Sequence, residues 1–144
     1  HFRMVHSSLC GGLNRGGVLL SVLTDTASVL EVCNSIIFGS YTNEIKFQNN
    51  SISRIQANFL NNILTLDAYN RETYASFWPM DKNWSIDPGF TDPVHDKYTL
   101  SPQSAARNKA CSASEAGYDD EAFTQDMLGI ARTYPSHLGP LVNP

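Results

Sequence analysis

The chain has 144 residues, 42% of them hydrophobic and 17% charged, with a net charge of −4. That size suits one domain with a core of its own. The apolar content argues against a disordered chain, and no apolar run approaches the length of a membrane span. Four Lys and six Arg lie scattered without a patch, which argues against nucleic-acid binding. Neutral polar residues fill the gap left by the missing charges: 12 Asn, 15 Ser and 9 Thr.

Residues 1–17 read as a lead-in ending in Gly11-Gly12-Leu13-Asn14-Arg15-Gly16-Gly17, where the glycines allow tight turns. This stretch lacks the lysine of a phosphate-binding loop, with Val18 in its place. Val18 to Leu23 and Ser28 to Phe38 are rich in β-branched residues and predict two strands reversing at Thr24-Asp25-Thr26.

Between Glu44 and Tyr69 the phrases Phe47-Gln48-Asn49-Asn50 and Phe59-Leu60-Asn61-Asn62 recur 12 residues apart. Asn tolerates positive φ, and two-residue hairpins need it at both central positions. The pattern predicts a three-stranded antiparallel meander over 44–48, 51–60 and 63–69. Ser53, Ile55, Ala57 and Phe59 should share one face, and Arg54, Gln56 and Asn58 the other. A repeat solenoid is the alternative, resting on two copies.

Residues 70–100 are rich in aromatic residues, Asp and Pro, with short strands at Thr73–Trp78 and His95–Leu100 between long loops. From Ser101-Pro102 the pattern turns helical, first around Ala105, Ala106 and Ala110 and ending before Gly117. A second helix should open at Asp119-Asp120-Glu121, with Phe123, Met127, Ile130 and Tyr134 as its buried stripe. A tail follows from Pro135 to Pro144. The expected fold is α+β: an antiparallel, sandwich-like meander over the N-terminal two-thirds, then two short C-terminal helices, in a single domain over 1–144.

Four groups of residues suggest chemistry. Cys10 and Cys33 would close a disulfide worth about 3 kcal/mol, against the alternative of three free thiols with Cys111. Asn49 and Asn83 stand in glycosylation sequons and favour an extracellular setting. Tyr74, Trp78, Trp84 and Phe90 form a candidate binding platform for a sugar or a protein, or else fold back as core. In the loop from Asp87 to Asp96, Asp87, Asp92 and Asp96 could surround calcium, or His95 could serve in acid–base work; turn formation by the Asp-Pro pairs is the simpler reading.

A chain that begins with His1 rather than Met reads as processed, trimmed or a fragment. The amine and imidazole of His1 could hold copper together. In His1-Phe2 alone the chain resembles secreted lytic polysaccharide monooxygenases and their non-catalytic copper-binding relatives. That resemblance implies a further imidazole from His6, His95 or His137; together with the acidic loop, the candidate metal residues are His1, His95, Asp92 and Asp96, with copper or calcium as the alternatives to a chain with no cofactor.

These readings converge on a non-enzymatic binding or assembly module, either a component of a larger particle or filament or a secreted recognition protein. Its partners would be a protein, further copies of itself, or carbohydrate. The alternative is a secreted copper protein or enzyme built around His1.

Overall fold

The computed structural model describes residues 1–10, 20–22, 26–47, 52–95, 97–118 and 121–140. The glycine-rich end of the expected lead-in (residues 11–17), Thr24-Asp25, Asn49-Asn50, Asp96 and Asp119-Asp120 lie outside the described residues, whereas residues 1–10, expected to be irregular, carry two strands.

Over residues 2–64 the strands run parallel, three to a turn. In the first turn β1 (Phe2–Val5), β2 (Ser8–Cys10) and β3 (Leu20–Val22) follow one another. The second turn repeats them as β4 (Ser28–Cys33), β5 (Ile36–Phe38) and β6 (Ile45–Phe47), and the third begins with β7 (Ile55–Leu60) and β8 (Asn62–Leu64). Equivalent strands stack in parallel register, β1-β4-β7 in one sheet, β2-β5-β8 in a second and β3-β6 in a third. A short strand β9 (Asn83–Trp84) extends the second sheet beyond β8. Stacking offsets of 28 residues from Phe2 to Leu30 and 27 from Leu30 to Ala57 define a parallel β-solenoid.

This arrangement overturns the antiparallel meander. The three strands expected to pair as neighbours over 44–69 sit in three different sheets, because β6 pairs with β3, β7 with β4 and β8 with β5. Nor do β3 and β4 form a hairpin. The reason lies in the corner geometry. Asn61 alone takes positive φ (54°), while Asn62 already belongs to β8. A type I′ hairpin needs two consecutive residues at positive φ and reverses the chain. One such residue instead bends the chain from one sheet into the next. His6 (φ 44°) and Asn34 (φ 52°) occupy the same corner in the turns before, each directly after its paired strand residue, Val5 or Cys33. The alternation read in the middle strand holds from Ile55 to Leu60, where Ile55 and Phe59 are buried and Gln56 and Asn58 exposed, but Ile52–Arg54 form a 3-10 turn in which Ser53 is exposed.

The next position along the corner carries a side-chain ladder. The Ser7 amide donates to Ser35 Oγ (3.1 Å), the Ser35 amide to Asn62 Oδ1 (2.9 Å) and the Asn62 amide to Asn83 Oδ1 (3.2 Å). These bonds satisfy amides that corner geometry removes from the sheet ladders.

Met4, Leu30, Val32, Ile37, Ile45, Phe47, Ile55, Phe59 and Leu64 point between the three sheets and form the central core. Ile36 and Ile63 point the other way and are covered by Leu100, Ala106, Ala110 and Leu138. Both faces of the second sheet are therefore buried, which accounts for the unbroken apolar pairs Ile36-Ile37 and Ile63-Leu64.

Only two short helices occur among the described residues. α1 (Ala68–Thr73) is capped by Asp67, whose carboxylate accepts the Asn70 amide at 2.7 Å. It replaces the end of the expected strand 63–69, and the segment expected as a strand at Thr73–Trp78 is a turn. α2 (Ala113–Ala116) has a Ser112–Glu115 capping box and stops at Gly117 with φ 74°. Residues 101–110, expected to be helical, form turns and loop, with Ala110 bridged to Ser136. An antiparallel pair joins β10 (Phe90–Asp92) to β11 (Lys97–Leu100), which lies within the expected strand 95–100.

The second expected helix shrinks to a single 3-10 turn over Glu121–Phe123. Downstream, the Asp126 carboxylate accepts the amides of Leu128 (2.8 Å) and Ile130 (2.9 Å), and Gly129 takes φ 77°. An Asp that captures nearby amides competes with helix formation, and here it folds the chain into a loop. The stripe is split as a result: Phe123 is buried, while Met127 is 71% and Ile130 47% exposed. Among the described residues no helix is long and apolar enough to cross a membrane.

Candidate functional site

The aromatic residues singled out in the sequence part company in the structure. Trp78 is fully buried. Its ring lies 5.5 Å from Phe59 and 5.9 Å from Phe47, and edge-on to Tyr74 and Phe77. It closes the solenoid interior and is no part of an exposed platform. Tyr74 is partly buried against the same cluster. Phe90 packs between Phe38 (6.3 Å) and Tyr98 (5.3 Å) beside the outer face of the second sheet.

Trp84 is placed differently. It ends β9 at the edge of the second sheet and stays half-buried, with Lys109 Nζ 4.2 Å from its ring centroid. It lines a groove of about 480 Å³ together with Asn61, Asn108, Lys109, Cys111, Ser112, Glu115 and Tyr134. The solenoid corner builds one wall. Asn61, held at positive φ, donates from Nδ2 to the Lys109 carbonyl at 2.7 Å and so ties the C-terminal segment to the corner. The Glu115 carboxyl is held below the usual carboxylate range by the Ser112 amide and hydroxyl. Burial pushes the Tyr134 hydroxyl up to about 12, so it stays protonated and donates to the Phe123 carbonyl at 2.7 Å. The groove thus offers an aromatic face, one ammonium, one carboxylate and several amide and hydroxyl groups.

Asn34, behind this wall, organises the polar interior. Its side chain accepts the Cys111 amide (2.9 Å) and donates to the Cys111 carbonyl (2.8 Å) and to His6 Nε2 (3.0 Å). Burial, followed by the nearby Arg132 guanidinium, depresses His6 to about 3, so its ring is neutral and Nε2 accepts. The same nitrogen lies 3.1 Å from the Tyr134 hydroxyl.

Each histidine has its own surroundings. His1 Nε2 contacts Glu31 at 2.5 Å, where Arg3 Nε also binds at 2.9 Å. His95 Nδ1 pairs with Asp92 at 2.9 Å, and that contact holds the Asp92 carboxyl below its usual range. His137 Nδ1 accepts the Asn108 amide at 3.2 Å. Among the described residues no three His, Cys, Asp or Glu side chains gather where they could hold a metal ion. Asp96, the remaining member of the expected metal set, lies outside the described residues, as does Asn49.

Two expectations need correction. Asn83 is 1% exposed, and its amide is spent on the Phe59 carbonyl (2.8 Å), the Pro79 carbonyl (3.0 Å) and Asn62 Nδ2 (2.9 Å). A glycan has no access to it in this fold. Cys33 does not face Cys10: its sulfur lies 3.8 Å from Cys111 Sγ, and all three thiols are free.

Lys109, Ser112 and Glu115 escape notice in the sequence, and Tyr134 reads only as part of a helical stripe, because nothing local links them to Trp84. The signal that bears on the site is the repeat Val32-Cys33-Asn34-Ser35-Ile36 and Phe59-Leu60-Asn61-Asn62-Ile63, which places Asn34 and Asn61 at equivalent corners. Comparison of the chain with known protein families, curated proteins and solved structures gives no match.

Proposed function

We propose that the chain is a non-catalytic recognition module in which the solenoid acts as a rigid frame and the Trp84 groove receives a neutral, polar ligand such as an oligosaccharide. The observation that supports this most is the half-buried Trp84 ring at the edge of a concave surface, beside Lys109 and within a wall of amide and hydroxyl groups. Aromatic rings bind the apolar faces of sugars, while amides and hydroxyls pair with their hydroxyl groups. A glycan array followed by calorimetric titration of each hit tests the reading. Binding that weakens at least tenfold in Trp84→Ala, with the melting curve retained, supports it. An array without hits, or wild-type affinity in Trp84→Ala, overturns it.

A second reading, assembly into a larger particle or filament, has its own support. Among the described residues β1, β2 and β3 each pair on one side only, so one turn of the solenoid presents three open edges. Beside them lies a largely apolar groove lined by Phe2, Leu20, Val22, Leu30 and Ile55. Open parallel edges template further strands. Sedimentation velocity over a concentration series would reveal self-association, and Phe2→Pro, at the start of the β1 edge, should reduce it. A monomer at all concentrations would remove this reading.

A further inference from the structure

We propose that Cys33 and Cys111 form a disulfide that fastens the C-terminal segment to the second turn of the solenoid. Their sulfurs are 3.8 Å apart and in contact, with both residues buried beside Phe123. A disulfide requires about 2.05 Å between the sulfurs, so closure brings them together by less than 2 Å, within reach of side-chain rotation. The backbones need not search for each other. Cys33 is fixed at the end of β4, and Cys111 is clamped through both its amide and its carbonyl by Asn34, the residue next to Cys33.

Oxidation by a low-molecular-weight disulfide such as oxidised glutathione follows from the geometry. Cys111 lines the Trp84 groove, which gives a small oxidant an approach, whereas Cys33 is sealed behind it. The hydrogen bond from the Cys33 thiol lowers Cys111 from the usual thiol value, making it the attacking sulfur, while the same contact raises Cys33. The Cys111 thiolate attacks one sulfur of the oxidant, forming a mixed disulfide and expelling one glutathione thiolate. Cys33 then attacks Cys111 Sγ, its proton passing to the departing glutathione sulfur, which leaves as the second thiol. Two protein thiols give up two protons and two electrons, and the oxidant leaves as two molecules of thiol.

The bond would close a long loop from Cys33 to Cys111 and join segments that otherwise meet only through side-chain packing and hydrogen bonds. Cys10 stands apart in β2, where burial pushes its thiol up to about 12 and makes it a poor nucleophile.

The test is titration of the three cysteines after incubation of the purified chain with oxidised glutathione, then denaturation and non-reducing peptide mapping. The expected outcome is one remaining thiol per chain and a cross-linked peptide pair containing Cys33 and Cys111. A melting temperature raised by about 5 °C or more, and returned by dithiothreitol, should accompany it. Cys10→Ser should then end with no free thiol and the same cross-link. Cys33→Ser and Cys111→Ser should lose the intramolecular bond and the thermal shift. If either fails to fold, the Cys10→Ser count decides alone. Two thiols left in oxidised Cys10→Ser, or a cross-link containing Cys10 in the wild type, overturns the proposal.

Discussion

The Ser35 amide donates to Asn62 Oδ1 at 2.9 Å across one turn of the solenoid. The same Asn62 side chain donates to the Val32 carbonyl (3.0 Å) and to Asn83 Oδ1 (2.9 Å), and all four residues are buried. Three successive turns are thus joined by one amide group where the sheet ladders are interrupted. Asn62→Ala would leave the Ser35 amide without its acceptor and take one donor each from the Val32 carbonyl and from Asn83 Oδ1, which keeps the Asn62 backbone amide, in a site closed to water. The expected loss is about 2–4 kcal/mol in a urea melt, since each buried polar group left unpaired costs about 1–3 kcal/mol. A loss below 1 kcal/mol would mean that the ladder contributes nothing to stacking.

The corner residue beside it tests the backbone. Asn61 sits at φ 54°, where a β-branched side chain is strained. Asn61→Val should cost about 1–3 kcal/mol from the backbone alone, and lose the bond to the Lys109 carbonyl as well. Asn61→Gly relieves the strain but also loses that bond, so it should fall between wild type and valine. Valine and glycine variants of equal stability would place the effect in the lost bond instead.

Phe123 and Met127 separate the structure from the helical pattern. Phe123 is buried with Cys33 and Cys111, whereas Met127 is 71% exposed. Phe123→Ala should cost about 3–5 kcal/mol, and Met127→Ala should stay within about 0.5 kcal/mol of wild type. Similar losses at both sites in denaturant melts would restore the continuous helix.

How far the sequence could lead depends on the range of each signal. The alternation of Ile55 to Leu60 and the apolar content of Val29 to Phe38 are local, and strands form there. Whether those strands run parallel or antiparallel depends on the residue that follows each strand. His6, Asn34 and Asn61 lie 27 or 28 residues apart, beyond any short window, and the 12-residue echo at Asn49 and Asn61 drew attention to the wrong period. At the C-terminus, the spacing of Phe123, Met127 and Ile130 is helical, but the Asp126 side chain binds two amides and a glycine at positive φ follows. Both local bonds outweigh the periodicity. Trp84 was legible as an aromatic residue in a loop-rich stretch; its groove was not, because the opposite wall arrives from residues 108–135.

His6 provides a test by pH. It is 4% exposed, occupies the first corner at φ 44°, and keeps a neutral ring because burial and then the Arg132 charge depress it to about 3. In the unfolded chain the same group titrates near its ordinary value of 6.5. Above that pH both states are neutral and the residue adds no pH dependence. As pH falls below 6.5, the unfolded chain takes up a proton that the folded chain refuses, so stability drops until the folded ring itself titrates near 3. The slope corresponds to a loss of about 2 kcal/mol at pH 5 relative to pH 8. His6→Asn supplies a residue that tolerates positive φ and matches Asn34 and Asn61 at the equivalent corners, but does not titrate. Urea melts of both proteins from pH 8 to pH 4 should show the variant losing about 2 kcal/mol less than wild type by pH 5. Parallel curves for the two proteins would mean that His6 accepts its proton in the folded state, and that burial and the Arg132 charge do not hold the ring neutral.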